Sequence, residues 1–284
     1  MNPDIRFAVN RIAASSMAFP AFAAMAQSLG VKAVEIRNDL ADAELTDGTP
    51  ASQVASSAHA HGVVVRSINA LQRFEQFDAA REVEAHTLAR YAVESGAQAL
   101  VLCPTNSRKD LRGAKQRHAD LVHALRQLRP ILEGSGLLGL VESLGFEWCA
   151  VRRKSQAVRA IEEVGASGTF ALVHDTFHHH LAGEAAFFPE LTGLVHISGV
   201  EDAALAVADM RDEHRVLVGP ADRLGNIAQL RQLLGAGYAG YVSFEPFAAS
   251  ICGAPDIAQR LAASMAYLSR ALAAPSGAYS SSVR

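Results

Sequence analysis

The chain has only three cysteines in 284 residues, Cys103, Cys149 and Cys252, widely separated and without a C-x-x-C pair. This excludes a disulfide framework and a thiolate zinc site, and it fits a reducing compartment. Each reads as a small buried residue, although Cys103, at a strand end, is also placed to line a pocket. No run of ~18 uncharged apolar residues occurs, so no membrane span and no membrane partner are expected. The opening residues, MNPDIRFAVN, lack a basic region followed by an apolar run, and the protein is expected to be cytoplasmic. No G-x-G-x-x-G follows the first strand and no G-x-x-x-x-G-K-S/T occurs, which argues against dinucleotide and P-loop sites. A strong charge of one sign is missing too. With a net charge of −3 and dispersed lysine and arginine, there is no footprint for a nucleic-acid partner.

What is present is apolar material, half of the residues against 19% charged, enough for a sizeable core. Eight short apolar, β-branched runs recur along the chain. They are IRFAVN (5–10), KAVEIR (32–37), VVVRSIN (63–69), ALVLCP (99–104), LLGLVES (137–143), FALVHD (170–175), LVHIS (194–198) and YVSFEP (241–246). Between them lie segments such as AAREVEAHTLARYAVES, with apolar residues at helical spacing. Several of these end in a glycine suited to closing a helix: Gly30, Gly62, Gly96, Gly136 and Gly165. Continuous apolar strands alternating with helices imply a parallel sheet, and eight units favour closure. The expected fold class is α/β, a single-domain (β/α)8 TIM barrel over residues 1–274, with 275–284 (PSGAYSSSVR) as a flexible C-terminal tail. The loop after the seventh strand is long, and long loops at the C-terminal ends of barrel strands commonly carry function.

In such a barrel the site forms where strands end. The fifth strand ends in Glu142, the sixth in Asp175, the seventh carries His196 and the eighth ends in Glu245. Taken singly, each reads more simply as a helix cap, a solvated charge or a core histidine. Together, three carboxylates at one rim require a compensating cation. One divalent metal ion meets that need, and oxygen ligands with one imidazole suit Mn, Co, Mg or Zn. His178, three residues after Asp175, points either into the same cavity or at the turn backbone. Arg215, on the long loop, is placed either to clamp a substrate oxygen or to sit solvated. Asn69, Gln72 and Glu35, at earlier strand ends, are candidates for binding hydroxyl groups. Phe146 and Trp148 either wall the cavity or pack the following helix, and His179 and His180 are expected to begin a solvent-facing helix.

With these motifs in place, the chain resembles the xylose isomerase-like TIM-barrel superfamily, in its sugar epimerase and inositol-catabolism branch. The carriers are V-E-I-R-N-D-L, S-I-N-A-L-Q, V-E-S-L-G-F, H-D-T-F-H, H-I-S and S-F-E-P-F, spread over almost the whole chain. The resemblance implies that Glu142, Asp175, His196 and Glu245 bind the metal and that His178 and Arg215 contact substrate. The nearest likeness is to 2-keto-myo-inositol isomerases, from the R-N-D-L, N-A-L and E-x-L-G-F runs. Ser143 stands where proline is common, and Gly219 to Asp222 where a more glycine-rich turn is usual. The implied activity is isomerisation or epimerisation of a small sugar or cyclitol ketone by enediolate proton transfer. The expected catalytic set is Glu142, Glu245 and His178, with His178, Arg215 and Asn69 binding substrate. Alternatives within the branch are a ketose 3-epimerase and an inosose dehydratase. An endonuclease-like hydrolase would need further histidines on strands two to four and a basic face, neither of which is evident. A non-catalytic sugar-binding barrel fits poorly with an intact ligand set. A homo-oligomer is compatible with such a barrel, with no interface legible in the helix patterns.

Overall fold

The computed structural model describes residues 5–274; the tail expected from 275 lies outside the described residues. Eight parallel strands close in chain order into one barrel: β1 (Arg6–Asn10), β2 (Ala33–Arg37), β3 (Val64–Gln72), β4 (Ala99–Cys103), β5 (Leu138–Glu142), β6 (Phe170–Asp175), β7 (Thr192–Ile197) and β8 (Tyr241–Phe244). Every run expected from the sequence contains or overlaps one of these strands. The largest difference is β3, which continues to Gln72 across a register shift against β4.

The outer layer consists of α1 (Phe19–Ser28), α2 (Ala51–Ala60), α3 (Ala79–Ser95), α4 (Ala114–Ser135), α5 (Lys154–Glu163), α6 (Thr176–Ala182), α7 (Asn226–Gly235), α8 (Ala249–Cys252) and α9 (Ile257–Ala273). Local chemistry sets the helix ends. Asp78 caps α3 by accepting from Arg81 N at 2.8 Å, and Gly96, at φ 74°, closes the helix in the left-handed region that glycine enters without a steric cost. Among the described residues no helix is long and apolar enough to cross a membrane.

Side chains on a strand alternate between two faces, and this alternation builds the site. Outward residues such as Ile36, Leu100, Leu172 and Phe244 join Phe22, Leu125 and other helix residues in the main core between sheet and helices. Inward residues Ala99, Val101, Leu140, Val173 and Leu194 form a separate apolar plug inside the barrel. Burial of each Val or Leu of this set contributes ~1.5–3 kcal/mol. Two residues farther along the same inward series, Leu140 gives way to Glu142, Val173 to Asp175 and Leu194 to His196. The plug therefore forms the floor of a polar site at the C-terminal rim.

Candidate metal centre

Glu142 ends β5, Asp175 ends β6, His196 lies next to the end of β7, and Glu245 follows β8. Strand register brings them level: Asp175 pairs with His196, and His196 with Ser243. One oxygen or nitrogen of each residue lies within 4.8 Å of those of the other three, and all four are buried.

His196 is the hub. Its Nδ1 lies 3.0 Å from Glu142 Oε1 and 3.2 Å from Glu245 Oε2, and its Nε2 lies 3.1 Å from Glu35 Oε2. Glu35 is fully buried and also accepts from Ser67 Oγ at 2.6 Å, from Asn69 Nδ2 at 2.9 Å and from Ser243 Oγ. Its carboxylate is spent on protein donors, so the expectation that Glu35 binds a substrate hydroxyl is corrected: it orients His196. Asn69 lines the cavity while its amide nitrogen donates to Glu35 and to Ser67 Oγ.

The sequence reading missed Arg37. It sits two residues after Glu35, on the same inward face, and its Nη1 donates to Glu245 Oε1 at 2.8 Å while Nε and Nη2 grip Asp39. Asn10 Nδ2 donates to the same Glu245 oxygen at 3.2 Å. Arg215 is 1% exposed and binds Asp175 Oδ2 at 2.7 Å, Glu245 Oε2 at 3.0 Å and Ser198 Oγ at 2.9 Å. A solvated role for Arg215 is thereby excluded.

The charges test the fit of a cation. Four carboxylates (Glu35, Glu142, Asp175, Glu245) and two guanidiniums (Arg37, Arg215) are buried together, so four negative charges against two positive leave two. One divalent ion would supply that charge, with His196 neutral as one of the residues that would hold it. Without an ion, burial pushes the His196 imidazole down, but Glu245, Glu35 and Glu142 outweigh this and hold it well above its usual 6.5. Burial would raise Glu35, and the His196 charge instead lowers it to about 2. Burial likewise opposes ionisation of Glu245, while His196, Arg215 and Arg37 hold it below the ordinary carboxylate range. The donor set, three carboxylates and one imidazole, suits a hard or borderline divalent metal.

Asp175 serves two purposes. Its Oδ1 accepts from His178 N at 2.9 Å, capping α6, while Oδ2 belongs to the cluster. The cap places His178 in the cavity wall, with its ring 5.3 Å from Phe146 and 5.2 Å from Phe177, and its buried Nδ1 has no partner among the described residues. His179 and His180 do not begin a solvent-facing helix. They are half-buried near the end of α6, and His179 Nδ1 lies 3.1 Å from the buried Lys154 Nζ.

The cavity above the cluster measures about 130 Å³ and is lined by Cys103, Gln72, Phe146 and Phe247 besides the residues already described. Cys103 Sγ donates to Glu142 Oε2 at 3.3 Å. A larger cavity of about 520 Å³ opens around the buried Arg11–Glu44 pair near the first two strand ends. It contains none of the four cluster residues, so size does not identify the reactive site here.

The family model for xylose isomerase-like TIM barrels matches residues 23–271. The chain belongs to that family. A xylose isomerase domain-containing protein from Salmonella typhimurium LT2 is 31% identical, over 94% of this chain and 99% of that one, with a TM-score of 0.87. Two more distant solved structures share the fold of this xylose isomerase-like barrel. IolI, described with a bound zinc atom, is 20% identical over 94% of this chain and 98% of its own, at a TM-score of 0.80. D-psicose 3-epimerase from Clostridium cellulolyticum H10 is 14% identical over 94% and 99%, at a TM-score of 0.74. No curated protein matches the chain.

Proposed function

We propose that this protein is a divalent-metal-dependent isomerase or epimerase of a small sugar or cyclitol ketone. The observation that carries the proposal is the buried meeting of Glu142, Asp175, His196 and Glu245, which together with Glu35 behind His196 leaves two negative charges in excess of Arg37 and Arg215. IolI with its zinc atom and D-psicose 3-epimerase, built on the same fold, support this reading.

The four residues would hold the ion, which on binding supplies a positive charge to stabilise the oxyanion of an enediolate. The two glutamates then differ in basicity. Glu245 is bound by Asn10, Arg37, Arg215 and His196, which damp its affinity for a proton. Glu142 shares the His196 contact through Oε1 at 3.0 Å but has no guanidinium partner, and its Oε2 meets the weakly donating Cys103 thiol. Glu142 is therefore the better base to remove the proton beside the carbonyl, and Glu245, or Glu142 itself, returns a proton at the neighbouring carbon or the opposite face. His178, whose Nδ1 has no partner among the described residues, orients a substrate oxygen, while Arg215, already bound to Ser198, Asp212, Asp175 and Glu245, reaches substrate only through its remaining Nη1 hydrogen.

The first compound to test is 2-keto-myo-inositol, with metal-reconstituted protein in deuterated water followed by proton NMR. Deuterium uptake with formation of a new inosose supports cyclitol isomerisation. Uptake with ketoses alone assigns a ketose epimerase, and no metal-dependent exchange with any of these overturns the enediolate reading.

A further inference from the structure

Beside the carboxylate cavity, and sharing Phe146 with it, lies a second hollow of about 290 Å³. Its walls come from three loops: Arg108 after β4, Glu147, Trp148 and Arg152 after β5, and Arg211 after β7. Phe146 forms the partition. Its ring lies 5.3 Å from His178 on the reactive side and stacks on Trp148 at 5.4 Å, with an interplanar angle of 10°.

We infer that this hollow is an oxyanion subsite that receives a phosphate or carboxylate carried on the part of the substrate remote from the carboxylate cluster. The inference rests on the isomerase reading above and narrows its substrate, favouring a ketone with an anionic arm over a bare cyclitol. Three guanidiniums face one exposed carboxylate, Glu147, so the hollow is positive. The guanidinium of Arg108 lies over the Trp148 ring at 3.8 Å and that of Arg211 at 5.3 Å. Stacking on an aromatic face fixes a guanidinium while leaving its N–H edge free for a forked bond to an oxyanion.

The donors are largely unspent. Arg108 makes no ion pair or hydrogen bond to protein among the described residues. Arg211 commits Nη1 to the Ala208 and Met210 carbonyls, and Arg152 commits Nε and Nη2 to the Gly145 and Leu181 carbonyls. By contrast, Arg112, also at the rim, is fully engaged by Glu75, Asp110 and Asp120.

Trp148 is the single tryptophan of the chain, so its emission reports occupancy of the hollow without turnover. The full-length protein is titrated with inorganic phosphate and, separately, with malonate, at constant ionic strength set with chloride. The expected result is a saturable change in emission with at least one of the two, weakened ~10-fold or more in Arg108→Gln, as loss of a charge-assisted contact requires. A response to phosphate alone identifies a phosphorylated substrate, and one to malonate alone a carboxylated substrate. No saturable response to either at tens of millimolar, or an equal response in Arg108→Gln, overturns the subsite. The two readings fail separately: proton exchange without a titration removes the subsite, and a titration without proton exchange removes the reaction.

Discussion

Glu35 Oε2 and His196 Nε2 lie 3.1 Å apart with both side chains fully buried, so the imidazole is held by a carboxylate on the side away from the cluster. A partner of this kind fixes the tautomer and ring orientation and raises the basicity of the other nitrogen. Glu35→Gln keeps the shape of the side chain and removes its charge. Metal affinity, measured by competition with a chromogenic chelator, is expected to fall ~10–100-fold. Unchanged affinity would refute an orienting role for Glu35.

Charge accounting predicts that an ion stabilises the fold. At a free concentration ~100 times its dissociation constant, a divalent metal adds about 2.7 kcal/mol. The thermal midpoint of chelator-treated protein should rise with at least one of Mn²⁺, Co²⁺, Mg²⁺ or Zn²⁺, and the rise should shrink in Glu142→Gln and Glu245→Gln. A midpoint indifferent to all four ions would contradict the ligand assignment.

Gly145 lies against the backbone of α6. A Cβ there would stand 2.1 Å from the His178 carbonyl oxygen and 2.8 Å from Leu181 Cβ. Because the obstacle is backbone, Gly145→Ala must push the β5 loop away from the helix that carries His178. The cost in stability by chemical denaturation should be at least ~1–3 kcal/mol, together with a higher KM from the displaced histidine. Wild-type stability and KM would show that the two segments separate freely.

Behind Asp175, Lys154 Nζ lies 2.7 Å from His174 Nδ1 and 3.1 Å from His179 Nδ1. Burial lowers Lys154 to about 8, opposed by Glu184, and burial and the lysine charge keep both histidines low. Between pH 8 and the ordinary lysine value near 10.5, the folded chain has released a proton that the unfolded chain still binds. Stability conferred by this group therefore rises with pH across that window. Relative to Lys154→Met, the wild type should gain up to ~1.4 kcal/mol per pH unit across that window. Parallel stability curves for the two proteins would show that Lys154 is not perturbed.

The barrel was legible because its strands are apolar on both faces and punctuated by turns. Glu142, Asp175 and His196 were legible because the inward series changes to them from Leu140, Val173 and Leu194 at one level, and Glu245 because it closes the eighth apolar run. Arg37 and the role of Glu35 were not. Within V-E-I-R-N-D both resemble charges bound for solvent, and only closure of β1 against β8 brings Arg37 to Glu245, 208 residues away. His179 was misread for a related reason: the sequence shows three adjacent histidines, but not Lys154 packed against the middle one. The arginines around Trp148 come from separate loops, and no local pattern joins them.

The apolar plug of Val101, Leu140, Val173 and Leu194 seals the barrel beneath the cluster. Under the proposed function, ion and ketone would both enter from the rim, with the ion's place at the bottom. Loading would then be ordered, ion before ketone, and a seated ketone would be the stopper that keeps the ion from leaving.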